Sequence, residues 1–157
     1  MVKFILSKLY EYNSSIENIL LSKNKFGQTC LHIACEKGYF NICEYFLKEK
    51  KLSSFVDMLD SNSDSALHLA TYNGHSSIVA LLCEHGADTK LKNDDGISPL
   101  EISCRKGFFE ISKTLIGNYK PDEDKINKDD SPLHTACYEG AHEVVRVLLK
   151  KGIYGLC

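Results

Sequence analysis

Residues 65–88 read SALHLATYNGHSSIVALLCEHGAD, and their punctuation decides the fold. Ser65 stands where a hydroxyl can accept from the free N–H groups of a first helical turn. A short apolar run containing Leu67 and Ala70 follows, and Gly74 interrupts it. Beyond the glycine, Ile78, Val79, Leu81 and Leu82 return at the spacing that marks one face of a helix. Gly86 ends that second helix, because a glycine past a helix end supplies the left-handed backbone that a side chain resists.

The same punctuation recurs on both sides. Residues 27–38 read GQTCLHIACEKG, 63–74 SDSALHLATYNG, 96–107 GISPLEISCRKG and 129–140 DDSPLHTACYEG. Leu31, Leu67, Leu100 and Leu133 step by 36, 33 and 33 residues, and Gly38, Gly74, Gly107 and Gly140 step identically. The longer first step places a three-residue insertion in the stretch Lys48–Lys51 with Leu52, Ser53 and Ser54, lengthening a helix end or its loop. A second apolar patch follows each glycine. It comprises Ile42, Tyr45, Phe46 and Leu47 in the first unit, Ile111, Leu115 and Ile116 in the third, and Val144, Val145, Val147, Leu148 and Leu149 in the fourth. Each is expected to be the buried face of a second helix, with Gly152 stopping the last as Gly86 stops its counterpart.

This period and its Thr-Pro-Leu-His-x-Ala-like segments resemble the ankyrin repeat. The resemblance covers about residues 24–154 and is closest over 65–88. It implies an all-α solenoid of stacked helix-turn-helix units with hairpin-like connecting loops, forming a single domain over 1–157. The repeats are expected at about 24–56, 60–92, 93–125 and 126–157. Residues 2–12, VKFILSKLYEY, and 14–21, SSIENILL, are apolar at helical spacing. They read as a degenerate capping helix pair over 1–23, since a solenoid end otherwise leaves an apolar face bare. No polar capping repeat follows Leu149. Either the short tail after Gly152 folds over the last helix or the chain is a fragment of something longer, the second being the expectation, and end-to-end self-association through the C-terminal face stays open.

The signature positions have physical jobs. Thr29, Ser65, Ser98 and Ser131 are expected N-caps. Pro99 and Pro132 suit the first helical position, where a missing N–H costs little. Leu31, Leu67, Leu100 and Leu133, with Ala34, Ala70 and Ala136, are expected to face neighbouring helices. The resemblance implies that His32, His68 and His134 hydrogen-bond the backbone of nearby turns. Repeats stacked about 8–10 Å apart could not bring equivalent histidines onto one zinc ion with bonds of about 2 Å. Glu101 replaces the histidine in the third unit and is expected to loosen that repeat locally. Cys35, Cys104 and Cys137 share one register, with Thr71 in the second unit, and a residue type that recurs with the repeat is explained by packing. Cys157 is the thiol expected to be exposed. His75, His85 and His142 lie near helix ends and are expected at the surface. Gly117 is expected to end the third unit, residues 120–125 form an irregular loop, and Asp129 stands where a turn glycine is normal.

Composition narrows the functional classes. Apolar residues make up 43% and charged residues 25% of the 157, a globular rather than disordered balance. A net charge of −2, with basic residues spread along the chain, argues against nucleic acid as a partner. No apolar run reaches the roughly 18 residues of a membrane span. Phe4, Ile5 and Leu6 are too short a run for a signal peptide before Ser7 and Lys8 interrupt, so the cytosol, or the nucleus, is expected. Seven cysteines without a C-x-x-C pair indicate neither a disulfide framework nor a zinc site. The sequence contains no G-x-S-x-G, P-loop, H-E-x-x-H or dinucleotide fingerprint, so no enzyme, cofactor or metal is expected.

By resemblance, function lies on a concave face of hairpin tips and first-helix surfaces that grips another protein. The candidate contacts are Phe26, Gln28 and Lys37 from the first unit and Asn62, Asp64, Tyr72 and Asn73 from the second. Asp95, Ile97, Arg105 and Lys106 follow from the third, with Lys128, Tyr138 and Glu139 from the fourth. Phe26, Tyr72, Arg105 and Tyr138 are the expected anchors, since aromatic residues and arginine dominate binding hot spots. Asp64, Asp94, Asp95, Asp129 and Asp130 would suit a partner segment carrying lysine or arginine. The alternatives are a targeting or regulatory domain of a larger multidomain enzyme and a free-standing assembly chaperone.

Overall fold

The computed structural model describes residues 21–48, 55–118 and 132–152. Nearly all of the expected N-terminal helix pair, most of the insertion, the loop at 120–125, Ser131 and Cys157 lie outside the described residues. Among the described residues there are eight helices: α1 (Cys30–Lys37), α2 (Phe40–Lys48), α3 (Ala66–Tyr72), α4 (Ser76–Glu84), α5 (Pro99–Lys106), α6 (Phe109–Asn118), α7 (Pro132–Tyr138) and α8 (His142–Lys151). They form four antiparallel pairs. The first helices stack in the order α1, α3, α5, α7, and the second helices in the order α2, α4, α6, α8. The extended backbone between pairs contributes one isolated antiparallel bridge, Leu59 with Ser65.

Helices of seven to ten residues are too short to persist alone, so capping and packing hold them. Thr29, Ser65 and Ser98 are N-caps in extended backbone, as the sequence predicts. In the second unit the Ser65 N–H donates to His68 Nδ1 at 3.2 Å, so that nitrogen carries no proton. The Ser65 hydroxyl, 2.8 Å away, donates to it as well. The ring proton therefore sits on Nε2, which donates to the Ile97 carbonyl 3.1 Å away in the next tip. One side chain thus closes its own helix and ties it to its successor. Burial holds His32 and His68 below the ordinary imidazole range, keeping both neutral.

Glu101 does not loosen its repeat. Its carboxylate accepts from the Ser98 N–H at 2.6 Å and the Ser98 hydroxyl at 2.7 Å, completing the same capping box while buried. It lacks only the second ring donor that reaches onward. Gly117 does not end the third unit either. It lies inside α6, outside the left-handed region, and the helix runs on to Asn118.

The core follows the register of the repeat. Leu67, Leu82, Leu115 and Leu148 are fully buried, each stabilising the fold by about 1.5–3 kcal/mol relative to exposure. Equivalent positions separate the two ends of the stack. Ile78, Ile111 and Val144 are all buried, the last without a described unit after it, so this position faces the preceding unit. Its counterpart in the first unit is Ile42, which is exposed, as is Tyr45. The expected buried face of α2 is corrected accordingly: Cys43 and Leu47 are buried, Phe46 half-buried, and no described helix packs on the Ile42 side. Conversely Leu47 and Ile116 are buried whereas Leu149 is exposed, so that position faces the following unit. For the same reason Cys137 and His134 are exposed while Cys35, Cys104, His32 and His68 are buried.

Candidate interaction surface

The hairpin tips are built by one side chain each. Asn24 Oδ1 accepts from the N–H groups of Phe26 (2.9 Å) and Gln28 (3.0 Å). Asp60 Oδ1 serves Asn62 and Asp64, and Asn93 Oδ1 serves Asp95 and Ile97, in the same way. A side chain that satisfies two amides of its own loop fixes the tip without a strand. These three organisers escaped the sequence reading although their signal was present: they step by 36 and 33 residues, like the leucines. Successive tips join by backbone bonds, Ser61 N–H to the Phe26 carbonyl and Asp94 N–H to the Asn62 carbonyl, both at 3.0 Å. In the second tip Ser63 takes the place of Gly27 and Gly96, at φ 59°. Its hydroxyl donates to Asp94 Oδ1 at 2.5 Å.

Among the predicted contact residues, Phe26 (58%), Tyr72 (57%) and Tyr138 (90%) are exposed large side chains. Lys37, Asn62, Asn73, Asp95, Arg105, Lys106 and Glu139 are exposed as well, whereas Gln28, Asp64 and Ile97 are half-buried. Those three also serve the fold. Gln28 Nε2 donates to Glu36 Oε2 (3.3 Å), Asp64 Oδ1 accepts from Asn93 Nδ2 (2.9 Å), and Ile97 supplies the carbonyl bonded by His68. Lys128 lies outside the described residues.

The stack brings several of these residues together. Lys106 Nζ sits 4.0 Å from the centre of the Tyr72 ring, a cation–π contact between neighbouring first helices. Lys25 lies over Phe26 at 4.8 Å. Lys37 pairs with Glu36 at 2.7 Å, and that hydrogen bond holds the Glu36 carboxyl below its ordinary range. Because the first helices follow in unit order, a strip runs from Glu36 and Lys37 through Tyr72 and Asn73 to Arg105 and Lys106, and on to Tyr138 and Glu139.

Several buried thiols and one histidine serve the packing. Burial pushes the Cys83 and Cys104 thiols up to about 11. The Cys35 thiol, hydrogen-bonded to Cys43 Sγ at 3.6 Å and buried, is also raised. Raised thiols are poor nucleophiles. His75, expected at the surface, is half-buried, and its Nε2 donates to the Glu36 carbonyl of the preceding unit at 3.1 Å. His85 is likewise half-buried, whereas His142 is exposed as expected. No described helix is long and apolar enough to cross a membrane.

Helix pairs stacked in two layers, with bonded tips along one edge and variable side chains on the first helices, define a helical repeat solenoid of the interaction type. The chain belongs to the ankyrin-repeat family, whose model matches residues 1–93 and 85–155. It is 31% identical over 128 residues to the tyrosine-protein kinase HTK16 of Hydra vulgaris, covering 80% of this chain and 17% of that protein. It is 27% identical over 149 residues to a transient receptor potential cation channel subfamily A member 1 homolog of Caenorhabditis elegans (95% of this chain, 12% of the channel). It is also 29% identical over 146 residues to the putative ankyrin repeat protein FPV014 of fowlpox virus (92% and 32%). The chain thus spans less than a third of the length of each of these relatives. Ankyrin repeats generally mediate protein–protein interaction, and the fold is typically non-catalytic.

Proposed function

We propose that this chain binds a partner protein on its concave face, through the hairpin tips and the exposed surfaces of α1, α3, α5 and α7, and performs no catalysis. The observation that carries the reading is the strip of Tyr72, Arg105, Lys106 and Tyr138. Large aromatic and cationic side chains stand exposed there at positions the repeat does not need for packing. The small share of each relative that the match covers favours a module within a longer protein over a free-standing chaperone. The free thiols among the described residues suit the cytosol or nucleus.

The test is affinity capture from native lysate with two baits, wild type and a variant with Phe26, Tyr72, Arg105 and Tyr138 changed to alanine. All four side chains are exposed, so the variant should keep its circular dichroism and melting temperature. A protein retained by the wild type and lost by the folded variant is the expected result. Equal capture by both baits would remove the concave face from consideration.

A further inference from the structure

The residue after each later unit glycine stands at the junction with the preceding unit: His75 follows Gly74, Phe108 follows Gly107 and Ala141 follows Gly140. At the first junction the His75 ring lies so close over Gly38 that a Cβ there would meet Cε1 at 2.7 Å. At the second the Phe108 ring covers Gly74, with Cζ 3.2 Å from the same virtual atom. At the third the residue is Ala141, and nothing lies within 4 Å of the corresponding point on Gly107. A cleft of roughly 590 Å³ opens at this junction, lined by Arg105, Lys106, Gly107, Phe109, Glu139 and His142 among others. A ring that fills the gap in two junctions is missing from the third.

The charges around the cleft select its occupant. Arg105 is exposed and makes no hydrogen bond or ion pair among the described residues, whereas Lys106 already lies over Tyr72. On the opposite wall Glu143 is engaged by Arg146 at 3.4 Å and lies 3.7 Å from His142. Glu139 lines the cleft as well and opposes an incoming acid, so Glu139→Gln should strengthen the binding that Arg105 provides. A guanidinium without a partner recognises carboxylates through paired N–H donors.

We propose that the cleft between the third and fourth units binds an aromatic side chain of a partner protein flanked by an acidic residue, the ring covering Gly107 and the carboxylate meeting Arg105. The inference deepens the concave-face reading, with which it shares Arg105, by naming the partner's chemistry. The probe is a blocked peptide, Ser-Glu-Phe-Glu-Ser, titrated into the intact chain and followed by amide NMR shifts and calorimetry. Shifts at Gly107 and Ala141 are expected. Replacing the peptide's phenylalanine by alanine, its glutamates by glutamine, or Arg105 of the protein by alanine should each weaken binding about tenfold or more. Ala141→Phe gives the chain its own ring, as in the second junction, and should abolish binding while raising the melting temperature. Ala141→His, which copies the first junction, provides a second occluding variant. Absence of peptide binding to the wild type, or undiminished binding to both occluded variants, would overturn the inference. Partner capture that is lost with Tyr72→Ala but intact with Ala141→Phe would also overturn it, and would leave the concave-face reading standing.

Discussion

Placing an alanine at two glycines of the same repeat position should separate backbone strain from ring contact. Gly38 and Gly107 both cap their helices in left-handed backbone, at φ 79° and 70°. Alanine at either costs about 1–2 kcal/mol for that conformation alone. At Gly107 the added methyl meets nothing within 4 Å, so the cost should end there. At Gly38 the methyl would stand 2.7 Å from His75 Cε1 and 3.0 Å from both ring nitrogens. The ring must move, and with it goes the His75 bond to the Glu36 carbonyl, worth about 0.5–1.5 kcal/mol. Gly38→Ala should therefore exceed Gly107→Ala by about 1 kcal/mol, or about 2–4 °C of melting temperature for a chain of this size. Urea and thermal unfolding followed by circular dichroism read both values. In a His75→Ala background the excess at Gly38 should vanish, a coupling of about 1 kcal/mol in the double-mutant cycle. Equal costs at the two glycines, or no coupling to His75, would refute the ring-on-glycine account of the junctions.

Stability should fall as the solution is acidified. Burial lowers His32 and His68 in the fold, so the unfolded chain binds more protons. Their contribution is complete above the unfolded value of about 6.5 and is lost as pH falls through it towards the folded values. Urea midpoints between about pH 7.5 and pH 5 should show the decline, and His68→Gln, which keeps an N3 cap partner, should flatten it. At Ser63, alanine keeps the left-handed strain and loses the bond to Asp94, whereas glycine relieves the strain. Ser63→Ala should cost about 1 kcal/mol and Ser63→Gly should be close to neutral in thermal melts. Alkylation of the native protein by iodoacetamide, mapped by mass spectrometry, should label the exposed Cys30 and Cys137 and spare Cys35, Cys83 and Cys104 until denaturant is added.

The repeat itself was written in the chain. Leucine, glycine and hydroxyl residues at fixed intervals specify caps, helix ends and a buried register, and those depend on near neighbours in sequence. Thr29, Ser65 and Ser98 cap as read, and the leucines and alanines that recur with the period pack between helices. The exposure of Phe26, Tyr72 and Tyr138 was legible for the same reason, since the repeat leaves those positions without a packing duty. Two of the expectations failed for different reasons. Ile42 and Tyr45 look identical to core residues in sequence, but their burial depends on a preceding unit, which periodicity alone does not place. Glu101 looked like a defect because it replaces the histidine, although Ser98 and Glu101 stand at the Ser-x-x-Glu spacing of a capping box, a signal that was present in the sequence.

By itself, then, the sequence determined the unit, its period, its caps and which side chains the fold leaves spare, because these follow from helix geometry within about thirty residues. Only the tertiary structure decided what the junctions between units look like. His75 over Gly38, Phe108 over Gly74 and the bare Gly107 arise from residues more than thirty positions apart meeting across a stack. Their contact depends on how one unit is set against the next, which no local pattern encodes.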